Sequence, residues 1–387
     1  MNPKTYFGNQ NKQRIRSILE HPYFGFIVIG VLLILIQLLY TAGWGISLTF
    51  MRSFGMTMIY VVVALGFSIL LGYAGLASLG TAGFVGIGTY LLGYFTNQLQ
   101  VSAIWIVLIA ILGAVVIGLI VGFISLRIEG MYLAIITLGL SEILNEVFKN
   151  ATSITNGTNG LGMDTLVLFG QPFLRNPNDI FVVLVVALVV VMILTFNIIK
   201  SPTGRAMLSM KNSESAAQAM GVSIFKYRLL AFMVATVYAF FGGLLYMAYL
   251  GFSIPSSWSL AFSLNILAAV IVGGSRSIYG IILGTFMIFG FDMAIIQNIR
   301  LWPNNPWVLR LIENNPESAD QIANFFRNLQ GAIPTMSYIL NGLLIIIVIM
   351  FYPGGLIQLL TTIKNKIVKL SHHIYQKVKV MLYGEDR

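Results

Sequence analysis

The chain has 387 residues, 57% of them apolar and only 9% charged, with a mean hydropathy of +0.86. No water-soluble chain of this length hides that much apolar surface in one core, so the composition predicts a protein dissolved in lipid. The net charge of +10 sits beside the apolar runs, which assigns it to membrane topology and excludes nucleic acid as a partner, while zero cysteines and three scattered histidines exclude disulfides and a metal site.

In chain order, a polar, basic N-tail (1–23) precedes apolar stretches that predict spanning helices near 24–43, 53–73, 80–98, 101–126, 131–149, 180–199, 229–251, 260–275, 279–297 and 336–356. The first run is too long for a cleaved signal segment, and barrel-type alternation is absent, so the expected fold class is an all-α membrane protein of about ten transmembrane helices. The third and eighth spans are the weakest. Gly80, Gly83, Gly86 and Gly88 dilute one, and Pro255, Ser256, Ser257 and Ser259 precede the other, so either is a candidate for a re-entrant or broken helix.

Basic residues set the orientation. On one side of this layout lie Lys4, Lys12, Arg14, Arg16, Arg127, the 200–228 loop with Lys200, Arg205, Lys211, Lys226 and Arg228, then Arg276 and the lysines of the C-tail. The other side holds only Arg52, Lys149, Arg175, Arg300, Arg310 and Arg327. Both termini are therefore expected in the cytoplasm, with 24–356 as the transmembrane domain and 200–228 as its main cytoplasmic loop.

The segments 150–179 and 298–335 read as outer polar loops. In the second, Ala319, Ile322, Ala323, Phe326 and Leu329 share one helical face, which predicts a short amphipathic helix on the outer surface. In the C-tail (357–387), Ile363, Ile367, Leu370, Ile374 and Val378 alternate with lysines, as in a basic interfacial helix lying on anionic membrane lipid.

No phosphate-cradling G-x-x-x-x-G-K-[ST] loop, nucleophile elbow or metal-ligand cluster occurs, so no catalytic residues and no ATPase site are expected in this chain. Energy for active transport would come through intramembrane carboxylates or from a separate ATPase. The carboxylate candidates are Glu142 and Glu146, one turn apart in the fifth span, and Asp292 in the ninth. The docking candidate is the 200–228 loop, where Asn212 or Ser213 can cap a helix over ESAAQAM and Gly221 can end it in the left-handed conformation. That helix would offer a small-residue face of Ala216, Ala217 and Ala219 to a partner's groove. Glycines crowd LGYAGLASLGTAGFVGIG, where Gly72, Gly75 and Gly80 permit close helix packing and Ser78 can bond across; an unwound stretch beside a pathway is the alternative.

Six blocks in order resemble one family, the LivM-type permease subunit of branched-chain amino acid ABC importers. They are ALGFSILLGYAGLASLGTAGFVGIGTYL (64–91), LRIEGMYLAIITLGLSEIL (126–144), TNGTNGL (155–161), SPTGRAMLSMKNSESAAQAMGVSIFKYRLLAF (201–232), IVGGSRSIYGIILGT (271–285) and LLIIIVIMFYPGGL (343–356). The resemblance implies a multi-pass subunit in a prokaryotic inner or plasma membrane, with spans 2–5 and 7–10 as inverted copies. It implies a second, LivH-like permease, two ABC ATPase subunits carrying the ATP, an external substrate-binding protein, and no cofactor on this chain. It makes Glu214, Ala216, Ala217 and Gly221 part of the coupling helix, flanked by Arg205 and Lys211. Leucine, isoleucine or valine is the implied cargo; urea permeases share much of the pattern, so urea or a small amide is the alternative, and a stand-alone ion-coupled transporter is the competing class.

Overall fold

The computed structural model describes residues 22–43, 47–99, 101–125, 131–168, 171–172, 177–290, 310, 313–314, 319–352, 354–359 and 361–362. The N-tail up to residue 21, Asp292 and the C-tail stripe from Ile363 lie outside these residues, as do the side chains of the 319–329 stripe.

Helices dominate. They are α1 (Pro22–Thr41), α2 (Leu48–Ser68, extended by a π-turn over Ile69–Tyr73), α3 (Thr81–Leu99), α4 (Ala103–Ser125), α5 (Met131–Asn150) and the single turn α6 (Thr152–Thr155). Then come α7 (Pro177–Lys200), α8 (Pro202–Asn212), α9 (Glu214–Ala219), α10 (Ile224–Leu250), α11 (Leu260–Gly273), α12 (Ile278–Thr285, with a π-turn over Phe286–Gly290) and α13 (Ala319–Phe351). The strands are two residues each. β1 (Leu161–Gly162) pairs antiparallel with β4 (Phe252–Ser253), and β2 (Val167–Leu168) with β3 (Gln171–Pro172).

Among the described residues, five helices are long and apolar enough to cross a membrane: α1, α2 with its π-turn, α4, α7 and α10. α3 and α5, with 19 and 20 residues, have the length, but glycine and threonine dilute the first and Glu142, Glu146 and Lys149 the second. The two expected breaks are present. Residues 74–80 form no regular element before α3, and a 3₁₀ turn over Pro255–Trp258 precedes α11, which has only 14 residues.

The expected separation between an outer amphipathic helix and the last span is not observed: α13 runs unbroken for 33 residues from Ala319 through position 334 to Phe351. Proline costs a helix one backbone hydrogen bond, a loss that helices of membrane proteins tolerate, so Pro334 does not end this one.

The centre is α10, packed against α2, α3 and α4. Within the most apolar stretches, 89% of α2 and 61% of α10 is buried in the protein, against 28% of α4 and 17% of α1. The outward residues of α4, including Ile104, Leu108, Leu112, Val116 and Ile120, are all apolar, as a lipid-facing helix requires. Apolar burial separates helix from lipid only weakly, so close backbone approach holds the centre together. A Cβ on Gly243 would strike the Val85 carbonyl, and one on Gly88 the Phe240 carbonyl, so α3 and α10 touch through reciprocal glycines. The Thr89 hydroxyl, beside them, donates to the Gly243 carbonyl at 3.2 Å. On the flank, α1 pairs with α7 through a hydrogen bond from the buried Gln37 amide to the Asn178 carbonyl (2.7 Å).

Candidate functional site

The loop between α7 and α10 folds into two capped helices. Ser201 caps α8, its hydroxyl accepting from the Gly204 N–H at 3.3 Å, and Pro202 takes the first helical position, where its missing N–H is harmless. The Ser201-Pro202 pair is the local signal for this helix, which lies within the segment expected as loop. Ser213 caps α9 by accepting from the Ala216 N–H at 3.3 Å. Gly221 stands at φ +81, and the Val222 N–H reaches back to the Ala217 carbonyl at 2.9 Å, closing α9 with the expected left-handed turn.

The small-residue face divides. Ala217 is buried against the protein's own helices, whereas Ala216, Ala219 and Gly221 are exposed, and Met220, at 85% exposure, forms the tip. Arg205 is also exposed, and its guanidinium donates to the Lys200 carbonyl at 2.8 Å.

Two tethers join this loop to the bundle. Glu214, at the start of α9, forms an ion pair with Arg228, one turn into α10. Arg228 is almost fully buried, and its Nε has no hydrogen-bond partner, so the pair fixes a desolvated cation at the base of the central helix. The second tether is Lys211. Its ammonium donates at 2.9 Å to both the Leu71 and the Gly72 carbonyls, at the end of the α2 π-turn. Burial, and after it the Arg276 guanidinium, hold the Lys211 amine below its ordinary pKa.

Around Lys211 four of the six motif blocks converge. Its Cγ lies where a Cβ on Gly75, at φ +75, would come within 3.0 Å; Gly72 presses on the Ser275 carbonyl; and the Tyr73 hydroxyl donates to the Arg276 carbonyl at 3.0 Å. Gly274, at φ +103, and Gly355, at φ +82, meet backbone to backbone, bringing in the closing block. Gly72 and Gly75, expected to serve helix packing, therefore belong to the same junction as Lys211.

Ser78 and Gly80 lie further along the irregular stretch. Ser78 and Thr81 line a narrow, partly open crevice with Phe67, Phe232 and Thr236. Hydroxyls from other helices hold this stretch and the start of α3: Leu79 N–H donates to Thr137 (2.9 Å), Ala82 N–H to Ser263 (2.9 Å) and Gly83 N–H to Ser141 (3.2 Å). Thr137 and Ser141 come from the inner face of α5. The next turn of that face carries Asn145, whose amide donates to the Pro255 and Trp258 carbonyls at 2.9 and 3.0 Å, fixing the other break.

Glu142 and Glu146 point the opposite way and are exposed. Glu146 pairs with Lys149 at 2.7 Å. The structure thus does not bring the carboxylates to the junction around Lys211.

The model of one protein family, described as the branched-chain amino acid transport system / permease component, matches residues 49–349. The chain belongs to this family. It is 35% identical over 257 residues to the high-affinity branched-chain amino acid transport system permease protein LivM of Escherichia coli K12, covering 60% of each chain, and equally to LivM of Salmonella typhimurium LT2. A probable branched-chain amino acid transport permease protein LivM of Methanocaldococcus jannaschii is 22% identical over 351 residues, covering 81% of this chain and 95% of that one. The chain spans about 60% of the length of the first two relatives it matches. No solved structure matches.

Family membership gives the junction its context, a permease component and so a multi-pass membrane protein. It also shows what sequence reasoning missed. In the sequence Arg228 and Arg276 stand out only as topological charges, and Tyr73 has no role. Their partners lie far along the chain, and no local spacing marks them.

Proposed function

We propose that this chain is the transmembrane permease subunit of an ATP-driven importer for branched-chain amino acids, and that α9 is where a separate ATPase subunit seats. The carrying observation is the exposed tip Ala216, Ala219 and Met220 on a helix tied by Glu214–Arg228 to the central helix and by its neighbour Lys211 to the end of α2. A push on the tip has two routes into the bundle. One tilts α10, which packs on α2, α3 and α4; the other pulls on the π-turn and the irregular stretch 74–80.

In this reading about ten helices span the membrane, with both termini and the 200–228 loop in the cytoplasm. ATP binds and is hydrolysed on two partner ATPases. The translocation path lies at the interface with a second permease, and an external binding protein delivers leucine, isoleucine or valine. The basic residues clustered at the α8–α9 end support that orientation.

The test is purification of the tagged chain in mild detergent with its genomic neighbours co-expressed, followed by uptake in liposomes. Wild type should bring down P-loop ATPases and a second permease and take up leucine with ATP. Met220→Asp, at a fully exposed site with little bearing on folding, should lose the ATPases while the second permease stays. A chain that recovers no ATPase yet moves solute down an ion gradient overturns the proposal, and uptake of urea in place of leucine overturns the cargo.

A further inference from the structure

The outward face of α5 differs from that of its neighbour α4. Tyr132, Ile135, Ile136, Ile143 and Val147 are exposed along it, as on a lipid-facing helix, but Gly139, Glu142 and Glu146 interrupt the apolar row. A Cβ on Gly139 would meet nothing within 4 Å, so its smallness serves no contact inside this chain. Glu146, near the helix end, is met by Lys149 and, through Asn150, by a second donor. Among the described residues, Glu142 has neither an ion-pair nor a hydrogen-bond partner.

Position decides the matter. At 1.5 Å per residue, Glu142 stands about 16 Å from the start of α5 and about 12 Å from its end, close to the middle of a hydrocarbon layer about 30 Å thick. A carboxylate held there against acyl chains is costly, and such groups face protein or water instead. The neighbouring α4 shows what a lipid-facing helix of this chain looks like: its outward residues are apolar throughout. The inner face of α5, by contrast, is already committed to α3 and to the turn before α11 through Thr137, Ser141 and Asn145. The outer face is therefore the one left for a partner.

We propose that the Gly139–Glu142–Ile143 face of α5 is the seat of a spanning helix of the second permease, which approaches closely over Gly139 and supplies a hydrogen-bond donor or cation to Glu142. This rests on the importer reading above and adds to it the surface and the chemistry of the partner. A small residue beneath the crossing and one polar pair beside it are the two devices by which helices associate inside a bilayer.

The chain has no cysteine, so single thiols can be placed at will. In membranes holding the full complex, Ile143→Cys and, as control, Leu112→Cys on α4 would carry a benzophenone maleimide and be irradiated. The 143 probe should form an adduct with the second permease and the 112 probe only with lipid. An adduct with lipid alone at 143, or with another copy of this chain, overturns the proposal. Glu142→Leu should lower recovery of the second permease at least tenfold while ATPases still bind through α9, and Glu142→Gln should retain most of it; full recovery with Glu142→Leu also overturns it. Wild type that recovers neither ATPases nor a second permease removes instead the importer reading itself.

Discussion

The α3–α10 contact and the α8–α9 loop are built in opposite ways. In the first, glycine Cα atoms lie on carbonyl oxygens of the facing helix, and no side chain larger than hydrogen fits at Gly88 or Gly243. In the second, hydroxyl caps set short helices locally, and two long-range tethers, Glu214–Arg228 and Lys211 to the end of α2, carry the connection to the bundle. Where lipid supplies little driving force between helices, the glycine contacts are what holds the helices in place. The tethers are few, polar and partly solvated, a construction suited to transmitting movement. The comparison teaches that damage at the centre should be read in folding, and damage in the loop in coupling with folding intact.

The largest effect is expected from Gly243→Val. Its Cβ would fall on the Val85 carbonyl and close to the Thr89 N–H, and backbone on both sides has nowhere to move. A loss above about 3 kcal/mol is expected, enough to abolish folded protein, measured as the monodisperse fraction after extraction in detergent. Normal yield from this variant would break the distinction between the two regions.

Next is Lys211→Met, which keeps the side chain's length and removes both charged donors from the Leu71 and Gly72 carbonyls. A loss of about 2 kcal/mol in thermal unfolding is expected, with ATP-driven leucine uptake falling further than folded protein does. Arg228→Met should act on coupling almost alone. It removes a buried cation whose Nε is unsatisfied, so the lost ion pair is offset by the desolvation relieved, and stability should change by less than about 1 kcal/mol. Uptake should nevertheless drop about tenfold while ATPase subunits still co-purify; unchanged uptake would show that α9 moves without pulling on α10.

What was legible in the sequence followed the range of the interaction. The Ser213 cap and the Gly221 turn come from residues three to five apart; the structure takes Ser213 of the two caps the sequence offers, and the Gly221 turn stands where it is expected. The breaks before α3 and α11 were readable because glycine and Pro-Ser clusters weaken helices on their own. The Lys211 contact joins residues 140 apart and Arg228–Glu214 joins two helices across 14 residues, so neither leaves a local pattern. The continuity of α13 was hidden for a different reason: Pro334 is a break signal in water, and the rule weakens among packed helices. The carboxylates of α5 were visible as intramembrane charges, but only the structure showed that Ser141 and Glu142, adjacent in sequence, face opposite sides.

The smallest and most discriminating test is at Gly221. Its φ of +81 is one that L residues adopt at a cost of about 1–2 kcal/mol, least for Asn and most for β-branched side chains, while the space around it is open. Strain is therefore the whole effect, with no clash to confuse it. Because α9 buries only Ala217, that strain should leave the global melting temperature unchanged and act on the local folding of a helix of six residues. About 1 kcal/mol there shifts the local equilibrium roughly fivefold. ATPase recovery and uptake should fall in the order Gly221→Asn, Gly221→Ala, Gly221→Val, with the melting temperature flat across the series. A falling melting temperature would mean that the loop supports the fold as the glycine contacts do. Wild-type uptake by Gly221→Val would mean that the end of α9 is not what the ATPase grips.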